Sequence, residues 1–131
     1  MKITQALLDQ LTEQAKASPR LRMNYDLRNS ETDLSQRMLN AIEPGSPMPI
    51  HRHQDTTETI VILRGKLVEE YYDKHDRICT EAIEMSPNGP VVAINIPAGQ
   101  WHTLRALESG TVILEMKNGA YEPLQDVDIL G

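Results

Sequence analysis

The chain has 131 residues, enough for one domain with a substantial core and too few for two. Apolar residues make up 40% and charged residues 24%, as in ordinary soluble globular proteins. The net charge is −6 and no block of Lys and Arg is present, which argues against nucleic acid as a partner because phosphate binding needs clustered cations.

The first predicted element is a helix over residues 5–17, with Thr4 as its N-cap. Ser18-Pro19 ends the helix, because the residue before a proline is pushed out of the α region. One apolar stripe recurs at helical spacing and is formed by Leu7, Leu8, Leu11 and Ala15. The stripe must be buried, either on the rest of the domain or against a second subunit.

Residues 20–35 are polar, and we expect them to form an irregular, extended arm. Three arginines lie within nine residues, at Arg20, Arg22 and Arg28. They form either a solvated surface, which we favour from the sequence alone, or an anion-binding lip at the mouth of the β domain.

Residues 36–117 alternate short strands with turns, whereas residues 118–131 are weakly patterned and are interpreted as a tail. Residues 73–77 predict a hairpin tip, in which His75 is exposed. Short strands at this spacing are typical of a sandwich or a barrel. The predicted strands cover residues 36–43, 57–63, 66–73, 78–85, 91–96, 101–107 and 111–117.

Alternation along the strands predicts which side chains face the interior, since successive residues point to opposite faces. The apolar sets assigned to the interior would leave a fairly dry pocket, in which the electrostatic effects of an ion are strong. These sets are Glu58 with Ile60 and Ile62, then Val92, Ile94 and Ile96, then Val112, Leu114 and Met116.

The candidate site begins with His51 and His53, which face the same side of an extended strand. The polar residues 54–57 can reverse the chain and bring Glu58 back beside the two rings. His102, after a Pro-Ala-Gly-Gln-Trp turn, supplies a fourth donor. A single histidine on a strand is more often a surface or core residue, but the grouping of these four donors predicts a metal site.

Three imidazoles and one carboxylate leave open positions on a divalent transition metal ion, as in catalytic sites. Zinc, iron, manganese and nickel all accept this ligand set, and affinity order alone does not choose between them. The rings must be neutral to bind. In the metal-free protein we expect them to face solvent, so that stability depends only weakly on pH.

The pattern from Gly45 to Gly65, G-x5-H-x-H-x4-E-x6-G, resembles the first motif of the cupin superfamily. The segment from Pro97 to His102, P-x-G-x2-H, is similar to the core of the second motif. The resemblance implies an all-β cupin fold, a double-stranded β-helix or jelly-roll barrel with an N-terminal α-helix. It also implies one domain over residues 1–131, comprising the helix and arm (1–35), the barrel (36–117) and the tail (118–131).

A closer resemblance is to the WbuC group of small cupin metalloproteins. It is carried by Ser18-Pro19-Arg20, Gln36-Arg37-Met38-Leu39-Asn40-Ala41 and Leu63-Arg64-Gly65, together with the histidine pair. This group is often encoded beside bacterial O-antigen genes, so the resemblance implies a role in lipopolysaccharide biosynthesis.

The favoured hypothesis is a metalloenzyme that acts on a sugar or nucleotide-sugar metabolite, with an anionic sugar as one candidate ligand. The substrate-binding candidates are Arg37, Asn40 and Trp101. Arg37 and Asn40 cannot both face inward on a straight strand, since an odd number of positions separates them. Glu69, Tyr71 and Tyr72 are unassigned candidate acids or bases, and the catalytic residues stay unknown. The alternatives are a non-catalytic metal-dependent binding module and an Fe(II)-dependent dioxygenase of small metabolites.

We expect the chain to form a homodimer and to be located in the cytoplasm. The helix stripe, together with Val61 and Leu63, gives surplus apolar surface for a second subunit. The resemblance to small cupins, which commonly form dimers, implies the same. The single cysteine, Cys79, agrees with a reducing compartment. No apolar run approaches the roughly 20 residues that span a bilayer, and no signal peptide is evident, so no membrane partner is expected.

Overall fold

The computed structural model describes residues 1–75 and 77–130. In this part of the chain, the helix α1 (Gln5–Ala17) precedes ten strands, and a short 3-10 helix (Asp126–Asp128) precedes the last of them. No helix in it is long and apolar enough to cross a membrane. The strands are β1 (Arg22–Asp26), β2 (Ser35–Ile42), β3 (Ile50–His51), β4 (Glu58–Arg64), β5 (Leu67–Tyr72), β6 (Cys79–Met85), β7 (Ala93–Ile96), β8 (Trp101–Ala106), β9 (Thr111–Asn118) and β10 (Ile129–Leu130).

The described strands form two antiparallel five-stranded sheets. The first has the order β1-β2-β9-β4-β7, and the second has the order β10-β3-β8-β5-β6. Side chains from both sheets meet in one buried cluster, to which Ile60 and Ile113 belong from the first sheet and Leu67 and Leu104 from the second. The two sheets therefore face each other across a shared core, and the mostly-β prediction is confirmed.

Helix α1 forms where its sequence predicts. The hydroxyl of Thr4 accepts a hydrogen bond of 3.2 Å from the backbone N–H of Leu7, which satisfies one of the free donors at the helix start. The helix stripe packs on the outer face of the first sheet, in a second buried cluster. One of the two observations that favoured a homodimer is thus accounted for within the chain, and the homodimer stays a prediction.

Strand β9 differs from its predicted orientation. Val112 and Leu114 were assigned to the interior, but they pack in the cluster beneath α1, and Ile113 faces the core between the sheets. Val112 and Ile113 are both fully buried, because this strand has apolar material on both faces. Alternation in such a strand marks the more apolar face but does not show whether that face meets the core between the sheets or the helix α1. Val92, also assigned to the interior, precedes β7 and is 46% exposed.

Two segments are more ordered than the sequence suggested. The arm contains β1, which pairs with β2 along five residues and forms an edge of the first sheet. The tail contains β10, which pairs with β3 and places Ile129 opposite His51. Strand β1 does carry an alternating pattern, since Met23 and Tyr25 lie between polar residues, but the arginines around it led to the prediction of an irregular arm. Strand β10 has only two residues, too few to show a pattern. His75 is exposed, as expected, although residue 76 of its hairpin tip lies outside the described residues.

Replacing Leu11 by Ala should lower the free energy of unfolding by about 2–5 kcal/mol, because it leaves a cavity between α1 and the first sheet. Leu11 is 2% exposed. The matched control is Leu34→Ala, at a side chain that is 58% exposed, with an expected change within about 0.5 kcal/mol. Urea denaturation measures both. Equal losses in the two variants would contradict the docking of the helix.

Candidate metal centre

Three imidazole rings meet between the two sheets. His51 on β3 lies directly opposite His102 on β8, and their ring centroids are 4.3 Å apart. The ring of His53 is 5.3 Å from that of His51 and 6.0 Å from that of His102. One nitrogen from each ring can be chosen so that all three lie within 4.8 Å of one another, close enough to share one ion.

The turn glycine of the later motif ties the two histidine segments together. Gly99 adopts a left-handed backbone angle, φ +82°, which favours glycine. Its N–H donates a hydrogen bond of 2.7 Å to the carbonyl of His53. The P-x-G-x2-H segment therefore supplies His102 and also fixes the backbone that carries His53.

Glu58, the fourth predicted donor, lies beside His53. Its Oε2 is 3.2 Å from Nε2 of that ring, and Lys117 Nζ is 3.2 Å from the other nitrogen, Nδ1. An ammonium can only donate, so a neutral His53 ring holds its proton on Nε2 and donates it to Glu58. Burial raises the pKa of Glu58, but this hydrogen bond and the electrostatic interactions with the three histidine rings together outweigh burial, so that the pKa lies below its usual value. The structure thus brings the three predicted histidines within sharing distance of one ion and places Glu58 beside one of them, His53.

The outer nitrogens of two rings are held by the protein. Nδ1 of His51 donates to the carbonyl of Pro49 at 3.0 Å, since a carbonyl can only accept. Nδ1 of His102 is 2.6 Å from Oε1 of Glu69. Nε2 of His102 is buried and has no hydrogen-bond partner among the described residues. A buried nitrogen without a partner is costly, and a metal ion is a partner that would satisfy it.

Glu69 is fully buried on β5. Burial raises its pKa to about 9, and the nearby carboxylates of Glu58 and Glu70 add to the shift. Burial also lowers the pKa of His102 to about 4. At neutral pH without metal, the proton therefore belongs to Glu69, which donates to the ring. With a metal on Nε2, the ring would hold the proton on Nδ1 and donate it to a carboxylate, the arrangement common behind metal-bound histidines.

A cavity of about 480 Å³ opens from the four donors to the surface. Three of the residues that line it are Arg20, Arg22 and Arg28. Their position agrees with a lip at the mouth of the β domain, the interpretation that the sequence alone favoured less. The other charged side chains along the cavity are Asp26, Arg37, Glu58, Glu115, Lys117 and Glu122.

The three substrate-binding candidates lie in different places. Asn40 is 4% exposed inside the cavity, where its amide nitrogen is 3.5 Å from Oε1 of Glu115. Arg37 also lines the cavity and pairs with Asp33 at 3.1 Å, and it can do so despite strand parity because it lies near the beginning of β2. Trp101 is not among the residues that line the cavity. Its ring is buried under the guanidinium of Arg52, 4.7 Å from the ring centroid.

Two cavity residues on β9, Glu115 and Lys117, were missed in the sequence. Burial raises the pKa of Glu115 to about 8, and the charge of Glu58 adds to the shift, so Glu115 holds a proton at neutral pH. Both were missed because the interior face of β9 was assigned to the alternate set of residues. The signal that could have found them is a Glu-x-Lys pair in an otherwise apolar strand.

A sequence-family profile described as "Domain of unknown function (DUF6016)" matches residues 3–84. A search among curated proteins finds no match. Among solved structures, oxalate oxidase in complex with the substrate analogue glycolate is 16% identical with a TM-score of 0.64. That match covers 82% of this chain and 55% of the other, so the chain spans about half the length of this relative.

Two further structures have the same fold. The cupin domain of Schizosaccharomyces pombe Cnp3 is 14% identical with a TM-score of 0.57, and the match covers 76% of this chain and 65% of that one. The capsular polysaccharide assembling protein CapF from Staphylococcus aureus is 22% identical with a TM-score of 0.62. That match covers 81% of this chain and 30% of CapF. The chain therefore shares the fold of a cupin domain, and the closure of its sheets into a barrel stays a prediction.

The metal-free protein should lose stability as the pH rises from about 6.5 to about 9. Glu69 and Glu115 have folded pKa values of about 9 and about 8, above the ordinary 4.5. Their contribution is present below pH 4.5 and is lost as the pH rises through the folded values. His51 and His102 have folded pKa values of about 4, below the ordinary 6.5, so their contribution is lost as the pH falls from 6.5 to 4.

Between pH 4.5 and 6.5 the loss of stability from the two acids opposes the gain from the two histidines. Above pH 6.5 only the acids change the stability further. This corrects the expectation of a weak pH dependence from solvent-facing histidines, because the exposed fractions of His51 and His102 are only 9% and 2%. Melting temperatures from pH 4.5 to 9 in the presence of chelator measure the effect. Glu115→Gln should reduce the slope above pH 6.5. An unchanged slope in that variant, or a rising curve in the native protein, would contradict the assignment.

Proposed function

The chain belongs to the DUF6016 family, a domain of unknown function, and has the cupin fold, and from this premise we propose that it is a metal-binding cupin acting on a small sugar-like metabolite. One observation carries the proposal. The buried Nε2 of His102 has no partner among the described residues, and it lies among two further imidazoles and a carboxylate.

The proposed ligands are His51, His53, His102 and Glu58. The donor set suits zinc, iron, manganese or nickel, and a bound ion would supply Lewis-acid or redox chemistry in the cavity. The outer nitrogens support this role, because Pro49 and Glu69 already orient the rings of His51 and His102. Burial lowers the pKa of His51 and of His102 to about 4, so both rings are neutral at physiological pH, which is the form that binds metal.

Glu115 supports an enzyme in preference to a binding module. It lies in the same cavity and holds a proton at neutral pH, and its pKa of about 8 is near the value that suits a general acid or base. Asn40 contacts its carboxyl group and fixes its position. A module that only binds has no need for a protonated carboxyl group in its cavity.

The finer proposal is a WbuC-type jelly-roll cupin in bacterial surface-polysaccharide biosynthesis. Its support is the run of residues that resembles the WbuC group, together with the shared fold of CapF, which is a capsular polysaccharide assembling protein. Cys79 is exposed and unpaired, which suits a reducing cytoplasm. The homodimer belongs to the same proposal.

The first test is metal content. Protein purified without chelator should hold about one divalent ion per chain, and His102→Ala should weaken metal binding by more than the roughly 10–100-fold typical of losing a ligand's hydrogen-bond partner. The control is His75→Ala, at an exposed histidine outside the cavity. Elemental analysis and metal titration are the measurements. A native protein without metal, or a His75→Ala variant as deficient as His102→Ala, would remove the basis of the proposal.

The second test separates catalysis from binding. The metal-loaded protein is screened by thermal shift against sugar phosphates and nucleotide sugars, and stabilising compounds are assayed for turnover. Glu115→Gln should keep its metal and still bind the compound, whereas turnover should fall by about 10²–10⁴-fold through loss of the proton donor. A ligand that binds tightly to the native protein without chemical change would instead indicate a binding module.

A further inference from the structure

The arginines along the cavity fall into two groups. Arg28 pairs with Asp26 at 2.9 Å, and Arg37 pairs with Asp33 at 3.1 Å. The guanidinium groups of Arg20 and Arg22 form no ion pair with any of the described residues 1–75 and 77–130. Two positive charges at the cavity mouth are thus left uncompensated in a chain whose net charge is −6.

The backbone between these two arginines is strained and held in place. Leu21 has φ +54°, in the left-handed region that a leucine rarely adopts. Its N–H donates to the carbonyl of Ser18 at 3.0 Å, and its carbonyl accepts from the N–H of Glu43 at 2.9 Å. The hydroxyl of Ser46 donates a hydrogen bond of 2.7 Å to the backbone carbonyl of Arg20. Strain that the surroundings enforce is typical of functional sites, where it fixes side chains in advance of a ligand.

The two guanidinium groups also act on each other. Burial lowers the pKa of Arg22, and the charge of Arg20 lowers it further. Glu115 is the acid whose charge would oppose this shift, but it holds a proton at neutral pH and so gives little compensation. A bound dianion would relieve the repulsion between the two cations, and a guanidinium group binds a phosphoryl group through two parallel hydrogen bonds.

We propose that Arg20 and Arg22 form a binding site for the phosphoryl group of a phosphorylated metabolite. The rest of the metabolite extends into the cavity toward the four metal-binding side chains, so this inference rests on the proposed function for the identity of the inner site. The cavity of about 480 Å³ is large enough for a sugar phosphate. The phosphoryl group sets the class of substrate and orients it, whereas chemistry takes place deeper in the cavity.

The experiment is calorimetric titration of inorganic phosphate into metal-depleted protein, in a phosphate-free buffer of low ionic strength. Metal depletion removes direct binding of phosphate to an ion. Arg22→Gln should weaken phosphate binding by about tenfold, the effect of losing a charge-assisted hydrogen bond, and Arg20→Gln should weaken it similarly. Arg22→Lys keeps the charge without the paired donors and should lie between the native protein and Arg22→Gln.

The control is Arg105→Gln, at a side chain that is 60% exposed and does not line the cavity. It removes the same charge and should leave phosphate binding unchanged. The proposal is overturned if native protein binds no phosphate, if Arg105→Gln loses as much affinity as the two lip variants, or if acetate binds as tightly as phosphate.

Metal titration of the same variants separates this inference from the proposed function. Arg20→Gln and Arg22→Gln should bind metal as the native protein does, because neither side chain is among the four proposed ligands. Phosphate binding that depends on both arginines in a protein that binds no metal would sustain the anion site and end the metalloprotein proposal. Normal metal binding without any phosphate binding would sustain the metalloprotein proposal and end the anion site.

Discussion

The hydrogen bond between Glu69 and His102 sets the geometry on which the site depends. It is 2.6 Å long and joins two side chains that are almost completely buried. Buried polar groups must find their hydrogen-bond partners within the protein, so the ring of His102 cannot rotate without leaving Glu69 unpaired. The free nitrogen of His102 is consequently directed toward His51 on the neighbouring strand. In the pairing of β5, β8 and β3, His51 lies opposite His102, and Glu69 lies opposite Leu104, diagonally across from His102, so the three side chains share one face before any ligand arrives.

Charge inside the cavity is distributed unlike charge on the chain as a whole. The chain carries an excess of acids, yet two acids within its interior, Glu69 and Glu115, are protonated at neutral pH because ionising them without water is too costly. Arg20 and Arg22 keep their charge at the mouth. The field along the cavity is therefore more positive toward the solvent than the net charge of −6 suggests, and it favours anionic ligands.

The helix, the positions of most strands along the chain and the histidines that meet could be predicted because each has a local signature. Thr4 and Ser18-Pro19 mark the ends of α1, and the spacing of His51 and His53 fixes a common face. The strand β9 was oriented wrongly, because its more apolar face packs beneath α1 and its face with Glu115 lines the cavity, and only the docking of α1 reveals this. The role of Glu115 was therefore missed. The alternating pattern of β1 was overlooked among its charged residues, whereas β10 is two residues long and owes its order to pairing with β3.

The pairing of β10 with β3 makes residues 126–130 part of the support of the histidine segment. Asp128 accepts hydrogen bonds from Arg52 at 3.2 Å and from Gln54 at 2.7 Å, and its carbonyl accepts from the backbone N–H of Arg52 at 3.1 Å. These three bonds bracket His53, and Ile129 pairs with His51. The weak pattern of the tail makes residue 118 an obvious point of truncation. Such a truncation would remove the contacts that support His51 and His53, two of the proposed ligands, while sparing the hydrophobic core. An affinity tag is accordingly better fused ahead of the exposed Met1 than after residue 130.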